Sequence, residues 1–205
     1  MILFTLLDPA TLAVFMAAGV ALNVTPGSDV MFATACGASQ GWKAGIAAAA
    51  GISTGCLVHV ALTAGGMAAV MQAHPGVLDI VKWIGAAYLV WLAVRLWNAD
   101  PARTRRAAQG LRAAFAKGAL TNVLNPKVAL FILAFLPQFT DPARGPVAAQ
   151  MVVLGLLFAA SGLVINGAYG AAAGALAAPM RRHARALNRF SALVFGGLAA
   201  RLVID

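Results

Sequence analysis

Between Ala44 and Met71 the chain runs for 28 residues without a formal charge, and a membrane crossing needs only about 20 such residues. Of the 205 residues, 61% are hydrophobic and 10% are charged, against roughly 45–50% and about 25% in ordinary soluble domains. A soluble globule of this size could not cover so much apolar surface, so the bilayer is the expected solvent. The first apolar stretch has no basic flank and runs into a polar break rather than a small-residue cleavage site. A removable signal peptide is therefore not expected.

Apolar runs punctuated by Gly, Pro and charge predict six spans, at about 9–36, 43–72, 76–98, 112–138, 146–178 and 187–204. The net charge of +9 is carried in the short connections, which points to topology-setting charge and away from nucleic-acid binding. One face collects Lys43, then Arg95, Arg103, Arg105, Arg106, Arg112 and Lys117, then Arg181, Arg182, Arg185 and Arg189, and is read as cytoplasmic. The other face collects Asp8, Asp79, Asp141 and Asp205, with Lys82, Arg144 and Arg201. Both termini are then expected outside. Cys36 and Cys56 have no CxxC spacing and read as small apolar residues within or beside spans.

Two halves resemble one another, 1–98 and 112–205, joined by a basic cytoplasmic loop at 99–111. Asn23-Val24-Thr25-Pro26 in span one is echoed by Asn122-Val123-Leu124-Asn125-Pro126 in span four. Leu92-Ala93-Val94-Arg95-Leu96 is echoed by Leu198-Ala199-Ala200-Arg201-Leu202. Because three spans precede the central loop, the second half enters from the opposite side. The prediction is an all-α membrane protein, one membrane domain built as a 3+3 inverted-topology repeat, an architecture common among secondary transporters.

Proline has no N–H and clashes with the turn before it, so Pro26, followed by Gly27, and Pro126, preceded by Asn125, should each open the helical ladder. Unpaired backbone groups cost several kcal/mol in hydrocarbon, so such breaks persist where they face protein or a wet cavity. One proline alone reads as a kink. Two at matched positions, among Asn23, Thr25, Ser28 and Asp29 on one side and Thr121, Asn122, Asn125 and Lys127 on the other, read as a binding site. Intramembrane charges mark ion or substrate pathways. Asp29 and Lys127 are read as either pairing with each other or binding opposite ends of a zwitterion, and Lys127 alternatively as snorkelling to the surface. New half-helix N-termini beyond each proline would direct N–H groups at a carboxylate.

His59, with Ser53 and Thr54 less than two turns before it, reads either as a proton-coupling residue with Asp29 or as a neutral histidine bonded between helices. Ser161 and Asn166 read first as helix glue. Gly51, Gly55, Gly65, Gly66, Gly155, Gly162, Gly167 and Gly170 read mostly as packing sites, and Trp42, Trp83, Trp91 and Trp97 as interfacial anchors. There is no HExxH, GxSxG or Walker signature and no glutamate, so neither an enzyme, a cofactor nor a metal centre is expected. Transport would then draw on an ion gradient or on a partner's hydrolysis.

The run Asn23-Val24-Thr25-Pro26-Gly27-Ser28-Asp29, the Gly41 to Gly45 start of span two, Gly85-Ala86-Ala87-Tyr88-Leu89-Val90-Trp91-Leu92, and Asn122-Val123-Leu124-Asn125-Pro126-Lys127 followed by Phe131 and Leu136-Pro137-Gln138-Phe139 together resemble the LysE/RhtB family of amino-acid exporters. The resemblance runs in order along about the whole chain. Ser28 stands where family members commonly carry a second proline. The resemblance implies export of amino acids or close derivatives across the bacterial inner membrane, coupled to a proton or cation gradient. Substrate-binding candidates are Asn23, Thr25, Pro26, Gly27, Asp29, Asn122, Asn125, Pro126 and Lys127. With few acidic groups beyond Asp29, a small neutral or apolar amino acid is favoured. A cation or metal efflux protein, or a channel of related fold, is the alternative. Assembly as a homo-oligomer is left open.

Overall fold

The computed structural model describes residues 6–73, 77–98 and 109–204, with side chains described except at 67–73, 77–79, 81–82, 174–182, 184 and 201–202. Arg103, Arg105, Arg106 and Asp205, most of the 99–111 loop, and the side chains of Asp79, Lys82, Arg181, Arg182 and Arg201 lie outside the described residues. Among the described residues the α-helices are α1 (Pro9–Val24), α2 (Ser28–Gln40), α3 (Trp42–Ala73), α4 (Val77–Trp97), α5 (Leu111–Val123), α6 (Pro126–Phe135), α7 (Val147–Ala171) and α8 (Ala173–Ile204). Two short 3₁₀ turns, Leu136–Phe139 and Pro142–Arg144, join α6 to α7. No strand occurs among the described residues.

The prolines act where they stand. The residue before a proline is driven out of the helical region: Thr25 is extended at φ −63°, ψ 122°, and α1 stops at Val24. Asn125 is likewise extended at φ −86°, ψ 103°, and its side chain accepts the Lys127 N–H while Pro126 opens α6. An Asx cap followed by proline at the first helical position is a strong start signal, because the missing N–H would be orphaned there anyway. It recurs at Asp8-Pro9, where the Asp8 carboxylate accepts the Thr11 N–H at 2.9 Å, and at Asp141-Pro142. The two broken pairs bend alike, α1/α2 by 51° and α5/α6 by 54°.

Trp42–Gly66 within α3 and Val147–Ala171 are each 25 residues long and apolar enough to cross a bilayer, and each bent pair adds one crossing if it forms a single span. Trp83–Trp97 is a shorter apolar helix. α3 packs along both α5 and α7, and α4 along α8. Glycine makes the long contacts close. A Cβ built on Gly51 would lie 1.9 Å from the Phe115 carbonyl oxygen, one on Gly118 2.4 Å from that of Ala48, and Gly37 and Gly45 are both pressed against the Gly170 backbone. Gly55 and Gly155 are packed as tightly, but Gly65 and Gly66 have nothing within 4 Å and are not packing sites among the described residues.

Two interactions sort the turns into two faces. The Gly110 N–H donates to Gln40 Oε1 at 2.6 Å, joining the α2/α3 turn to the start of α5. At the other face Arg144 reaches Asp8 at 3.6 Å and Asp141 at 3.7 Å, tying the start of α1 to the α6/α7 connection. Lys43 and Arg112 thus lie near one group of turns, and Asp8, Asp141 and Arg144 near the other.

The second half departs from the expected spans. The apolar run at 146–178 breaks at Ala172, and the basic stretch from Arg181 to Arg189, predicted as a connection before a span at 187–204, is helical within α8. Ala, Arg and Leu are strong helix formers, so charge ends the apolar run there without ending the helix. The Arg189 guanidinium lies 5.3 Å from the Trp97 ring, holding this basic segment against the end of α4. Trp42, Trp83, Trp91 and Trp97 are each about half exposed.

Candidate functional site

Each proline removes one N–H from the ladder, and the carbonyl four residues earlier loses its donor. For Pro26 that carbonyl belongs to Leu22, and the Lys127 ammonium takes its place, donating at 2.9 Å, with a second bond to the Thr25 carbonyl at 3.3 Å. For Pro126 the carbonyl belongs to Asn122, and it is met by His59 Nε2 at 3.2 Å and by the Asn125 N–H at 2.8 Å. The carbonyl that each proline deprives of its helical donor is thus met by a nitrogen side chain from elsewhere in the fold.

Around the first break other helices supply further hydrogen bonds. Tyr169 on α7 donates its hydroxyl to the Val24 carbonyl at 3.3 Å. The buried Thr25 hydroxyl donates to the Ala21 carbonyl and shares a short contact with Ser191 of α8, which also reaches Ala21 at 3.1 Å. Asn23 donates to Ser161 Oγ at 3.0 Å and to the Phe158 carbonyl at 3.4 Å. At the second break Tyr88 donates to the carbonyls of Pro126 and Lys127 at 3.3 and 3.2 Å. The breaks are therefore bridged from α3, α4, α6, α7 and α8.

The two charges do not form the direct pair that the repeat allowed. Among the described residues the ion pairs within 4.0 Å are those of Arg144. Asp29, buried in the first turn of α2, accepts from Asn122 Nδ2 at 2.7 Å and from the Ser28 hydroxyl at 3.2 Å. Helix dipoles favour both placements: a carboxylate at the N-terminus of α2, and an ammonium at the C-terminus of α1. Lys127 does not snorkel, since its head group turns inward to α1.

Asp29 and Lys127 nevertheless line one cavity, with Asn23, Thr25, Gly27, Asn125 and Asn166. Its volume is about 10 Å³, room for about one water molecule. One buried acceptor beside it has no protein partner, and the amides at the start of α2 have no side-chain cap. Gly27 caps α2 without a side chain, so the first-turn amides of α2 are not capped by one. Asn166 Oδ1 is a buried acceptor with no protein partner, its amide NH₂ being bound to the Gly162 carbonyl at 2.9 Å. Toward the Asp8/Arg144 end of α1 and α6, Phe15, Phe131, Phe135 and Phe158 form an aromatic cluster, with ring centroids 4.8 to 6.4 Å apart. On the opposite side the packing is of small residues, Ala33, Cys36, Ala44, Ala48 and Ala114, beside Phe32 and Ile52.

Of the residues predicted for the site, Asn23, Thr25, Gly27, Asp29, Asn125 and Lys127 line the cavity; Asn122 and His59 stand behind Asp29; Pro26 and Pro126 create the breaks. Thr121 and Thr54 take no part, Thr54 being bonded to its own helix at Ala50. Sequence reasoning missed Tyr88, Tyr169 and Ser191, and ranked Asn166 as glue. A lone polar group in an apolar helix was the available signal, and Tyr88 sits inside the Gly85 to Leu92 motif.

Long apolar helices, two of them broken around a buried charged centre, define a multi-pass integral membrane protein with an interior site. The chain belongs to the LysE type translocator family, whose model matches residues 20–205. It is 30% identical over 182 residues to a homoserine/homoserine lactone efflux protein of Salmonella typhimurium, covering 86% of each chain. It is 28% identical over 189 residues to a leucine efflux protein of Enterobacter sp. (strain 638), covering 87% of this chain and 88% of the relative. An uncharacterized membrane protein of Vibrio cholerae is 31% identical over 177 residues, covering 85% and 84%. No solved structure matches the chain.

Proposed function

We propose that this chain is a secondary exporter of amino acids or close derivatives, with small neutral or apolar ones favoured, acting across the bacterial inner membrane by alternating access. The observation that carries the reading is the meeting of both broken helices at one small cavity lined by Asp29 and Lys127. An α-amino acid carries the complementary pair of charges. Its carboxylate suits the Lys127 ammonium and the uncapped amides at the start of α2. Its ammonium suits Asp29 and the unpartnered Asn166 Oδ1.

At about 10 Å³ the cavity is far below the roughly 300–1,000 Å³ of ordinary ligand pockets, so loading requires the half-helices to part. In this reading α4 and α8 are the third and sixth of six spans, both termini lie outside, and the excess of basic residues makes the Lys43/Arg112 face cytoplasmic. The aromatic layer then closes the outer path and the small-residue layer the inner one. The names of the homoserine/homoserine lactone and leucine efflux relatives support amino acids as cargo. A proton or cation gradient is the drive, with Asp29 and His59 the candidates for proton coupling.

The test is counterflow in proteoliposomes loaded with unlabelled homoserine or leucine, with uptake of the same radiolabelled amino acid measured outside. Accumulation above empty liposomes, lost in Asp29→Ala and Lys127→Ala, is expected. Cation or metal flux with no amino-acid counterflow would overturn the reading in favour of a cation efflux protein or channel.

A further inference from the structure

The Lys127 ammonium occupies a position that the backbone makes favourable for any small monovalent cation. Pro26 strips the Leu22 carbonyl of its helical donor, the extended turn at Thr25 frees a second carbonyl, and both oxygens converge on Nζ at 2.9 and 3.3 Å. These oxygens lie at the C-terminal, negative end of α1. Asp29 and the side chains of Asn23 and Asn125 line the same cavity, and it has room for about one water. A Cβ on Gly27 would come within 3.4 Å of Nζ, so the glycine leaves the approach open. Unwound carbonyls at the end of a half-helix, beside a carboxylate, are the donor set with which membrane proteins hold alkali cations.

We propose that the carbonyls of Leu22 and Thr25, with Asp29 beside them, form a monovalent-cation site that the protein fills with its own tethered ammonium. Two features make the occupant built in. Asn125 caps the N–H of Lys127, Tyr88 pins the carbonyls of Pro126 and Lys127, and the side chain therefore starts from a rigid turn aimed at the break. A tethered cation pays no translational entropy on binding, so free Na⁺, K⁺ or ammonium cannot displace it at ordinary concentrations. Removing the side chain beyond Cβ empties the site and exposes it to free cations.

The experiment compares the intact protein with Lys127→Ala and Lys127→Met, purified in full length. Thermal unfolding is followed in NaCl, KCl or ammonium chloride against choline chloride at equal ionic strength, and binding of radiolabelled sodium is measured directly. Lys127→Ala should show a saturable rise in unfolding temperature of about 5 °C with one or more of the small cations. The intact protein and Lys127→Met, whose apolar stem fills the space, should show none. A saturable, cation-specific rise in the intact protein would overturn the proposal, and this arm needs no variant. So would a Lys127→Ala protein that elutes as a single folded species yet shows neither the shift nor sodium binding. Neither readout depends on amino-acid export, so failure of the export reading leaves the result intact.

Discussion

Lys127 donates its ammonium to the Leu22 carbonyl at 2.9 Å across a separation of 105 residues, and so closes in one half of the protein the gap that Pro26 opens. In the other half His59 meets the Asn122 carbonyl that Pro126 leaves exposed. These bonds give the charged centre a structural role beside the transport role proposed for it, and the two can be separated.

Pro26→Ala restores an N–H that can reach the Leu22 carbonyl, competing with Lys127 and straightening α1 into α2. Counterflow should fall at least about tenfold, while stability changes by no more than about 1 kcal/mol, since one donor replaces another. Lys127→Met should lose counterflow and stability together, by about 2 kcal/mol, because it leaves two buried carbonyls without this donor. Counterflow and thermal unfolding measured on the same preparations distinguish the two.

Exchanging the two charges should not rescue transport. Asp29 is held by Asn122 and Ser28, and Lys127 by carbonyls of α1. Asp29→Lys with Lys127→Asp sets a carboxylate against carbonyl oxygens and an ammonium against the Asn122 amide hydrogens. The double variant should be no more active in counterflow than either single one; recovery above both would show that a direct pair forms at some stage of the cycle.

Glycine substitutions should divide by contact. Gly118→Ala and Gly170→Ala drive a methyl group into facing backbone, and should lower stability by about 1–3 kcal/mol or more. Gly65→Ala meets nothing within 4 Å and should stabilise α3 by up to about 1 kcal/mol. Unfolding temperature in one detergent gives the comparison.

Asp8 supplies a pH test outside the spans. The Thr11 backbone N–H, and then the Thr11 hydroxyl and the nearby Arg144, hold its carboxyl below the usual range against a smaller opposing effect of desolvation. A lowered folded value means that its contribution is complete above the unfolded value near about 4 and is lost as pH falls through the folded one. Asp8→Ala should therefore unfold at lower temperature than the intact protein at pH 7, and the gap should close on acidification below about pH 4.

Where the chain breaks its helices was legible to the residue, because proline acts through its own ring and the turn before it. Thr25 and Asn125 are extended for that local reason, and the apolar runs that carry α3 and α7 were equally plain. The sequence by itself therefore determined a helical membrane protein with two interrupted helices and polar residues at each interruption. The end of α7 at Ala172 was not legible, since an Ala- and Gly-rich run continues through it, nor was the helical course of Arg181 to Arg189. Nor could the pattern show which partner each charge would take. Lys127 and Asp29 read either as a pair across the repeat or as holding opposite ends of a zwitterion, but only the tertiary structure brings the Leu22 carbonyl to Lys127, the Asn122 amide to Asp29, and Tyr88, Tyr169 and Ser191 to the open backbone. A freed carbonyl is a local event, whereas the group that satisfies it comes from whichever helix packs nearest, and that is decided by the fold as a whole.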